Sequence, residues 1–361
     1  MAETRPVGTE QTKSPADAAA TPAASSRSGV TANSGGDMRE ALDDYYEMKA
    51  LNTAQDDEGK VREQPNVVSR YYDVVTQFYE YAWGESFHFS ARRKGENLAA
   101  SQKRQEEALA KMLDLKPGMK VADVGCGIGG PLVTIGKASG ASITGLNFNA
   151  HQISRGEQLV RKAGLDGTCD FLLANFMDVP LEDGHFDAIY SFEAICHAPD
   201  TALLFGELYR LLKPGGYIGA IDWCLTERFD EDNATHRDIV ERIEFSNATP
   251  DLLTTQQQLD TMKGAGFEVL SATDQAAESD PATPWYMALQ GRDVSLASLA
   301  RIPAGRKFTM GVTKLLEKAG IAPPGTSEAS GLLNIAADSL VEGGETGIFT
   351  PMFVVHARKP E

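Results

Sequence analysis

The chain has 361 residues, 42% of them hydrophobic and 24% charged, which is ordinary for globular protein and enough for one large domain or two small ones. Its formal net charge of -17 argues against a nucleic-acid partner and against simple electrostatic adhesion to anionic lipid. No run reaches the length of a transmembrane helix, no apolar leader opens the chain, and four cysteines without metal-ligand spacing read as reduced cytosolic thiols.

Residues 1–37 are rich in Ala, Ser, Thr, Gly and Pro and nearly free of large apolar side chains, so they read as a disordered tail. Residues 38–115 form a helical and aromatic segment. A short helix fits the acidic, tyrosine-bearing stretch from 38 to about 64. The stretch 71–89 is the most aromatic of the chain. Its first half, with Tyr71, Val74, Val75 and Phe78, has helical spacing. Its second half mixes Tyr81, Trp83, Phe87 and Phe89 with Glu80, Glu85 and His88. Composition alone favours a core helix and packed loop; the functional reading is an aromatic lid over an apolar ligand. A helix over 95–113 follows, closed by Lys116-Pro117-Gly118.

The next run, Val121-Ala122-Asp123-Val124-Gly125-Cys126-Gly127-Ile128-Gly129-Gly130-Pro131, reads as strand, tight turn and helix start. The glycines let the backbone bend and approach a ligand. Asp123, two residues before the first glycine, suits a positively charged ligand group such as the amino group of S-adenosylmethionine, and not a pyrophosphate. The alternative is a tight turn with a capping acid and no ligand.

Strands are expected at 141–146, 170–173, 186–191 and 217–222, with helices at 150–163 and 201–212. This alternation predicts a parallel sheet covered on both faces, with ligands beyond the carboxyl ends of the strands. Asn147, Asn149 and Gln152, then Asn175 and Phe176, Glu193 to His197, and Asp222 with Trp223 fall there. Later strands are expected at 267–272 and 353–357. The residues between them, with helical patterns near 312–319 and 332–340, are too long for an ordinary loop and predict a helical cap.

Several of these segments together resemble the sterol 24-C-methyltransferases, a family of S-adenosylmethionine-dependent enzymes. They are Tyr79-Glu80-Tyr81-Ala82-Trp83-Gly84 with Ser86-Phe87-His88-Phe89, the glycine run from Asp123, Gly145-Leu146-Asn147-Phe148-Asn149 with Gln152-Ile153, Glu193-Ala194-Ile195-Cys196-His197-Ala198-Pro199, Pro284-Trp285-Tyr286 and Phe349-Thr350-Pro351-Met352. The match runs from about residue 66 onward. The glycine run is shared by many methyltransferases; the aromatic segment and the Cys-His-Ala-Pro block are more specific. Three positions depart from the family: Ala82 and Asn175 stand where it has Gly and Asp, and Ser246-Asn247-Ala248 replaces a Gly-Asp-Gly segment.

The resemblance implies a Rossmann-like, seven-stranded, mostly parallel sheet, a cofactor-binding core over 116–225, and a region over 226–361 that completes the sheet and caps the substrate. It implies methylation of carbon 24 of an unsaturated sterol side chain through a carbocation, with no metal. Asp123 would hold the cofactor amino group and Gly125, Cys126, Gly127 and Gly129 its methionine portion, with Asn147, Asn149, Gln152, Asn175, Phe176 and Glu193 around the rest. Tyr81, Trp83, Phe87 and Phe89 would stabilise the cation through their ring faces, and Glu193 and Glu80 through charge. The proton acceptor is His197, His88 or a carboxylate. Trp223, Glu244, Trp285 and Tyr286 complete the expected substrate contacts. A peripheral homo-oligomer at the cytosolic face of the endoplasmic reticulum, or at a lipid droplet, is the implied setting. Alternatives are methylation of another isoprenoid alkene, a binding protein without turnover, and an NAD(P) oxidoreductase. The last would want an acid or arginine where Asn147 stands.

Overall fold

The computed structural model describes residues 38–53, 57–292 and 302–361, apart from the side chains of residues 53, 57, 58, 61, 62, 77, 81, 82 and 303. The tail expected over 1–37 lies outside the described residues. The strands are β1 (Lys120–Val124), β2 (Ser142–Asn147), β3 (Cys169–Leu173), β4 (Phe186–Phe192), β5 (Leu212–Leu225), β6 (Glu268–Asp274) and β7 (Phe349–Arg358). They form one sheet in the order β3-β2-β1-β4-β5-β7-β6. The first five pair in parallel, and β7 runs antiparallel between β5 and β6. From β1 the chain builds outward to β2 and β3, then crosses back to β4. That reversal opens a crevice at the carboxyl ends of β1 and β4.

Ten helices of the described residues flank or cap this sheet, besides one four-residue turn. They are α1 (Met38–Thr53), α2 (Asp57–Trp83), α3 (Leu98–Met112), α4 (Gly130–Ser139), α5 (Ala150–Ala163), α6 (Thr201–Leu211), α7 (Ala234–Ser246), α8 (Thr255–Gly264), the turn α9 (Gln275–Glu278), α10 (Pro303–Lys318) and α11 (Thr326–Thr346). Asn149 and Asp200 cap α5 and α6 through side-chain hydrogen bonds, so strand exits become helix starts without orphaned amides. One apolar core lies on each face of the sheet. A third, containing Tyr45, Tyr71 and Leu332, joins α1, α2 and α11 beyond the strands' carboxyl ends. Among the described residues, no helix is long and apolar enough to cross a membrane.

Two expectations change in detail. The lid stretch stays helical through Trp83, well past Phe78, because Val75, Tyr79 and Trp83 continue the inward-facing stripe. β5 begins at Leu212 and absorbs Pro214-Gly215-Gly216 as an irregularity against β4.

After α7 the chain turns through Ser246-Asn247-Ala248. Ala248 is buried with φ 54, a left-handed backbone that a Cβ disfavours. The glycine that the family resemblance places here would relieve the strain. Ala248→Gly is expected to stabilise the protein by about 1 kcal/mol, raising Tm by about 2 °C in thermal unfolding followed by circular dichroism.

Candidate active site

The loop after β1 takes positive φ at Gly125, Gly127 and Gly129. At Gly125 a Cβ would stand 2.2 Å from the Ala194 Cβ, so the loop can lie against the exit of β4 only without a side chain. Asp123, the penultimate residue of β1, is 2% exposed and accepts a hydrogen bond from the Tyr190 hydroxyl at 3.0 Å. Burial pushes its carboxyl up to about 7, and that bond offsets only part of the rise. Asp123, Gly125, Cys126, Gly127, Asn147, Gln152, Phe176, His88 and Glu193 share the lining of one cavity with an empty volume of ≈ 670 Å³.

Asn147 orders this rim: its amide donates to Gly127 O at 3.1 Å and to Gln152 Oε1 at 2.9 Å, and its Oδ1 accepts from Asn149 N–H at 2.9 Å. Gly129, Asn149 and Asn175 are not in the lining. Asn149 reaches back to Asp73 of α2 at 2.9 Å, tying the lid helix to the end of β2, and Asn175 Oδ1 accepts from Met177 N–H at 3.0 Å.

Beside this cavity lies a larger, mainly apolar one with an empty volume of ≈ 1320 Å³. Trp83, Phe87, Phe89 and Trp223 stand in its wall as expected from the sequence. Tyr71, Tyr72, Phe78 and Tyr79 of α2 and Leu333, Ala336, Ala337 and Leu340 of α11 complete it. Trp285 stacks edge-on behind Phe89, centroids 4.9 Å apart, and Tyr286 packs behind Trp285, so neither faces the cavity. Glu80 and Glu244 turn away from it. Glu80 pairs with Arg155 at 2.6 Å, and Glu244 accepts from Leu252 N–H at 2.8 Å. The side chain of Tyr81 lies outside the described residues.

Four side chains line both cavities: Tyr72, Phe87, Glu193 and His197. Glu193 has φ 51, a strained backbone for a side-chain-bearing residue. Its Oε1 accepts from Phe89 N–H at 2.5 Å and its Oε2 from Trp223 Nε1–H at 2.8 Å. Burial raises its carboxyl to about 8. Asp222 at the end of β5 accepts from Ile195, Cys196 and Trp223 N–H, which fixes the turn carrying His197.

His197 faces the Ala248 carbonyl through Nδ1 at 3.4 Å and the Tyr72 hydroxyl through Nε2 at 3.1 Å. A carbonyl only accepts, so Nδ1 carries the hydrogen and the Nε2 lone pair accepts from Tyr72. Burial lowers its pKa to about 4, which keeps the ring neutral at pH 7. His88 differs. Both of its ring nitrogens meet acceptors, Phe89 O at 2.8 Å and Glu106 Oε1 at 3.0 Å, and Glu106 raises its pKa against the effect of burial. As a buried cation paired to α3 it has no lone pair to take a proton, which removes it from the candidate acceptors. The sequence assigns no role to Tyr72, and Tyr79 enters there only within the aromatic family segment; their spacing of seven, with Trp83 at four more, is the signal of one helix face.

A model of the sterol methyltransferase C-terminal region matches residues 298–361, and a methyltransferase domain model matches residues 122–220. Cycloartenol-C-24-methyltransferase 1 of Oryza sativa is 47% identical over 324 residues, covering 90% of this chain and 93% of that protein. The chain belongs to the sterol 24-C-methyltransferase family. The sterol 24-C-methyltransferase of Saccharomyces cerevisiae is 39% identical over 332 residues, covering 90% of this chain and 86% of that protein. In fold, the methyltransferase is similar to geranyl diphosphate C-methyltransferase from Streptomyces coelicolor, with a TM-score of 0.58, 17% identity, and coverage of 80% and 98% of the two chains.

The methyltransferase uses S-adenosylmethionine, and the first cavity fits it: a glycine-walled approach, and a buried acid, Asp123, that forms no ion pair among the described residues. A cationic amino group held by Asp123, as the family resemblance implies, would need that carboxyl ionised. Affinity for S-adenosylhomocysteine, read by calorimetry, should therefore rise with pH, by about tenfold per unit below 7, and level off above. The sign for stability is opposite. The folded acid keeps its proton from about 4 to about 7 while the unfolded one has lost it, so stability of the ligand-free protein falls over that window. Asp123→Asn should abolish the pH-dependent part of binding and raise the ligand-free Tm at pH 8.

Proposed function

We propose that the protein transfers the methyl group of S-adenosylmethionine to carbon 24 of an unsaturated sterol side chain. It would act as a peripheral homo-oligomer at a membrane such as the endoplasmic reticulum, or at a lipid droplet. The observation that carries the reaction is the junction: Glu193, His197 and Tyr72 stand where a polar, glycine-walled cavity meets an aromatic one.

Bound S-adenosylmethionine supplies an electrophilic methyl group on a sulfonium. The alkene π pair forms the new C–C bond, the C–S bond breaks onto sulfur, and positive charge is left on the sterol side chain. A hydride shift moves that charge to the neighbouring carbon. Loss of a proton then returns the C–H pair to a new double bond. The chain must keep water out and hold a cation without bonding to it. The rings of Tyr72, Tyr79, Trp83, Phe87 and Trp223 offer π faces. The Glu193 carboxylate, held from two sides, supplies a fixed negative charge, and cations beside it favour its ionised form.

Tyr72 and His197 are the proposed proton acceptors. The Tyr72 oxygen takes the sterol proton as its own passes to His197 Nε2, along the hydrogen bond already present. Burial holds the Tyr72 hydroxyl well above its ordinary pKa, so it relays and does not ionise alone. A carbocation makes the adjacent C–H so acidic that a histidine of lowered pKa suffices as the sink.

The product test incubates the protein with methyl-labelled S-adenosylmethionine and a panel of side-chain-unsaturated sterols, a 24-methylene sterol and squalene. Label in a sterol at carbon 24, read by mass spectrometry, is expected. Label in squalene alone would move the substrate to another isoprenoid. Tyr72→Phe and His197→Asn should each lower kcat about 100-fold while S-adenosylhomocysteine affinity stays within about threefold. An unchanged kcat in both would remove the relay.

A further inference from the structure

Helix α10 carries its apolar face outward. Phe308 is 75% exposed, Val312 38% and Leu315 68%, and Ile321, just past the helix, is 72% exposed. Their spacing of four and three puts the three helical residues on one stripe. The body-facing side, which includes Met310 and Leu316, is held by polar contacts. Arg306 donates to Leu289 O at 2.7 Å and pairs with Asp338, and Glu317 accepts from Ser327 N–H at 2.9 Å and Ser327 Oγ at 2.6 Å. Hydrogen bonds and ion pairs thus anchor the helix, and its apolar side chains are presented away from the protein. An apolar stripe in that position marks an interaction surface.

Charge indicates what covers it. In a chain of net charge -17, α10 carries four cations, Arg306, Lys307, Lys314 and Lys318, against one acid, Glu317. At 100° per residue the three lysines fall on one flank of the stripe, and all three are exposed. Lysines there can lay their stems along an apolar surface and keep the ammonium at phosphate depth. The helix also stands over the aromatic cavity: Arg306 lines it from α10, and Leu333, Ala337 and Leu340 from the adjoining α11. A ligand for such a cavity dissolves in lipid and not in water.

We propose that α10 is the membrane-docking element of this protein. It lies in the head-group plane of an anionic bilayer with Phe308, Val312, Leu315 and Ile321 among the acyl chains, which sets the cavity at the lipid surface. The substrate-delivery part rests on the sterol reading above.

The test is cosedimentation of the full chain with phosphatidylcholine vesicles made with and without phosphatidylserine. Wild type should bind the anionic vesicles, less so at high salt. Phe308→Glu/Leu315→Glu and, separately, Lys307→Glu/Lys314→Glu/Lys318→Glu should each weaken binding about tenfold or more. Methyl transfer to vesicle-embedded sterol should fall in parallel, whereas transfer to cyclodextrin-delivered sterol stays within about twofold of wild type, since neither set touches the cavity. Wild type that ignores vesicles, or a Phe308→Glu/Leu315→Glu protein that binds them as wild type does, overturns the proposal. So does a change of sedimentation coefficient in that variant with vesicle binding intact, which would assign the face to a second copy. Vesicle binding that is lost as expected, in a protein that methylates no sterol from cyclodextrin, upholds docking and fails only the substrate reading.

Discussion

The Glu193 carboxylate accepts one hydrogen bond from the Phe89 backbone and one from the Trp223 indole. Those two bonds join three separate elements, the lid segment, the exit of β4 and the end of β5, at a single functional group. Such bonds are worth about 0.5–1.5 kcal/mol each, and together they offset the strain of the left-handed backbone at Glu193. The same constraint fixes the wall between the two cavities, because Phe89 and Trp223 line one of them and Glu193 lines both. The two cavities therefore share a boundary whose position depends on the lid being docked.

Around that boundary the protein gathers buried acids. Burial lifts Asp123 to about 7, Asp222 to about 6 and Glu193 to about 8. In the ligand-free chain this is an electrostatic liability, and it faces a ligand that brings positive charge. Stability given up in the empty site is regained on binding, the usual relation between a preorganised site and the fold that carries it. His88 and Glu106 are the exception. They form a neutralised pair that fastens the lid segment to α3, with the Ser86 hydroxyl adding a bond of 2.6 Å to the same carboxylate.

The parallel part of the sheet could be read from the sequence to within a residue or two, β5 excepted, because its strands are short apolar runs alternating with helical patterns. The run expected at 186–191 is β4 at Phe186–Phe192, and the helix expected at 150–163 is α5 at Ala150–Ala163. The antiparallel place of β7 does not follow from local pattern, since it depends on which strand edges remain open. In the site, the glycine loop, Asp123 and Glu193 carry their own local signature. Tyr72 does not. It looks like one more core tyrosine until α2 is laid across the ends of the strands and its hydroxyl meets His197 at 3.1 Å. Glu80 and Glu244 show the converse. Glu80 is expected beside a cation and Glu244 against the substrate, but Arg155 and the Leu252 amide, both set by tertiary packing, claim them.

The position of β7 has a consequence for how the molecule is made. Of the seven strands described it is the last to leave the ribosome, yet it sits between β5 and β6, which have waited since before α10 and α11 were synthesised. Until it inserts, β5 is an open edge and β6 has no partner strand in the sheet. A nascent chain in that condition offers hydrogen-bonding edges to its neighbours. Its yield in a cell should depend on chaperones that shield it through that interval, and chains that stop short of Phe349 should aggregate instead of folding to a smaller, soluble core.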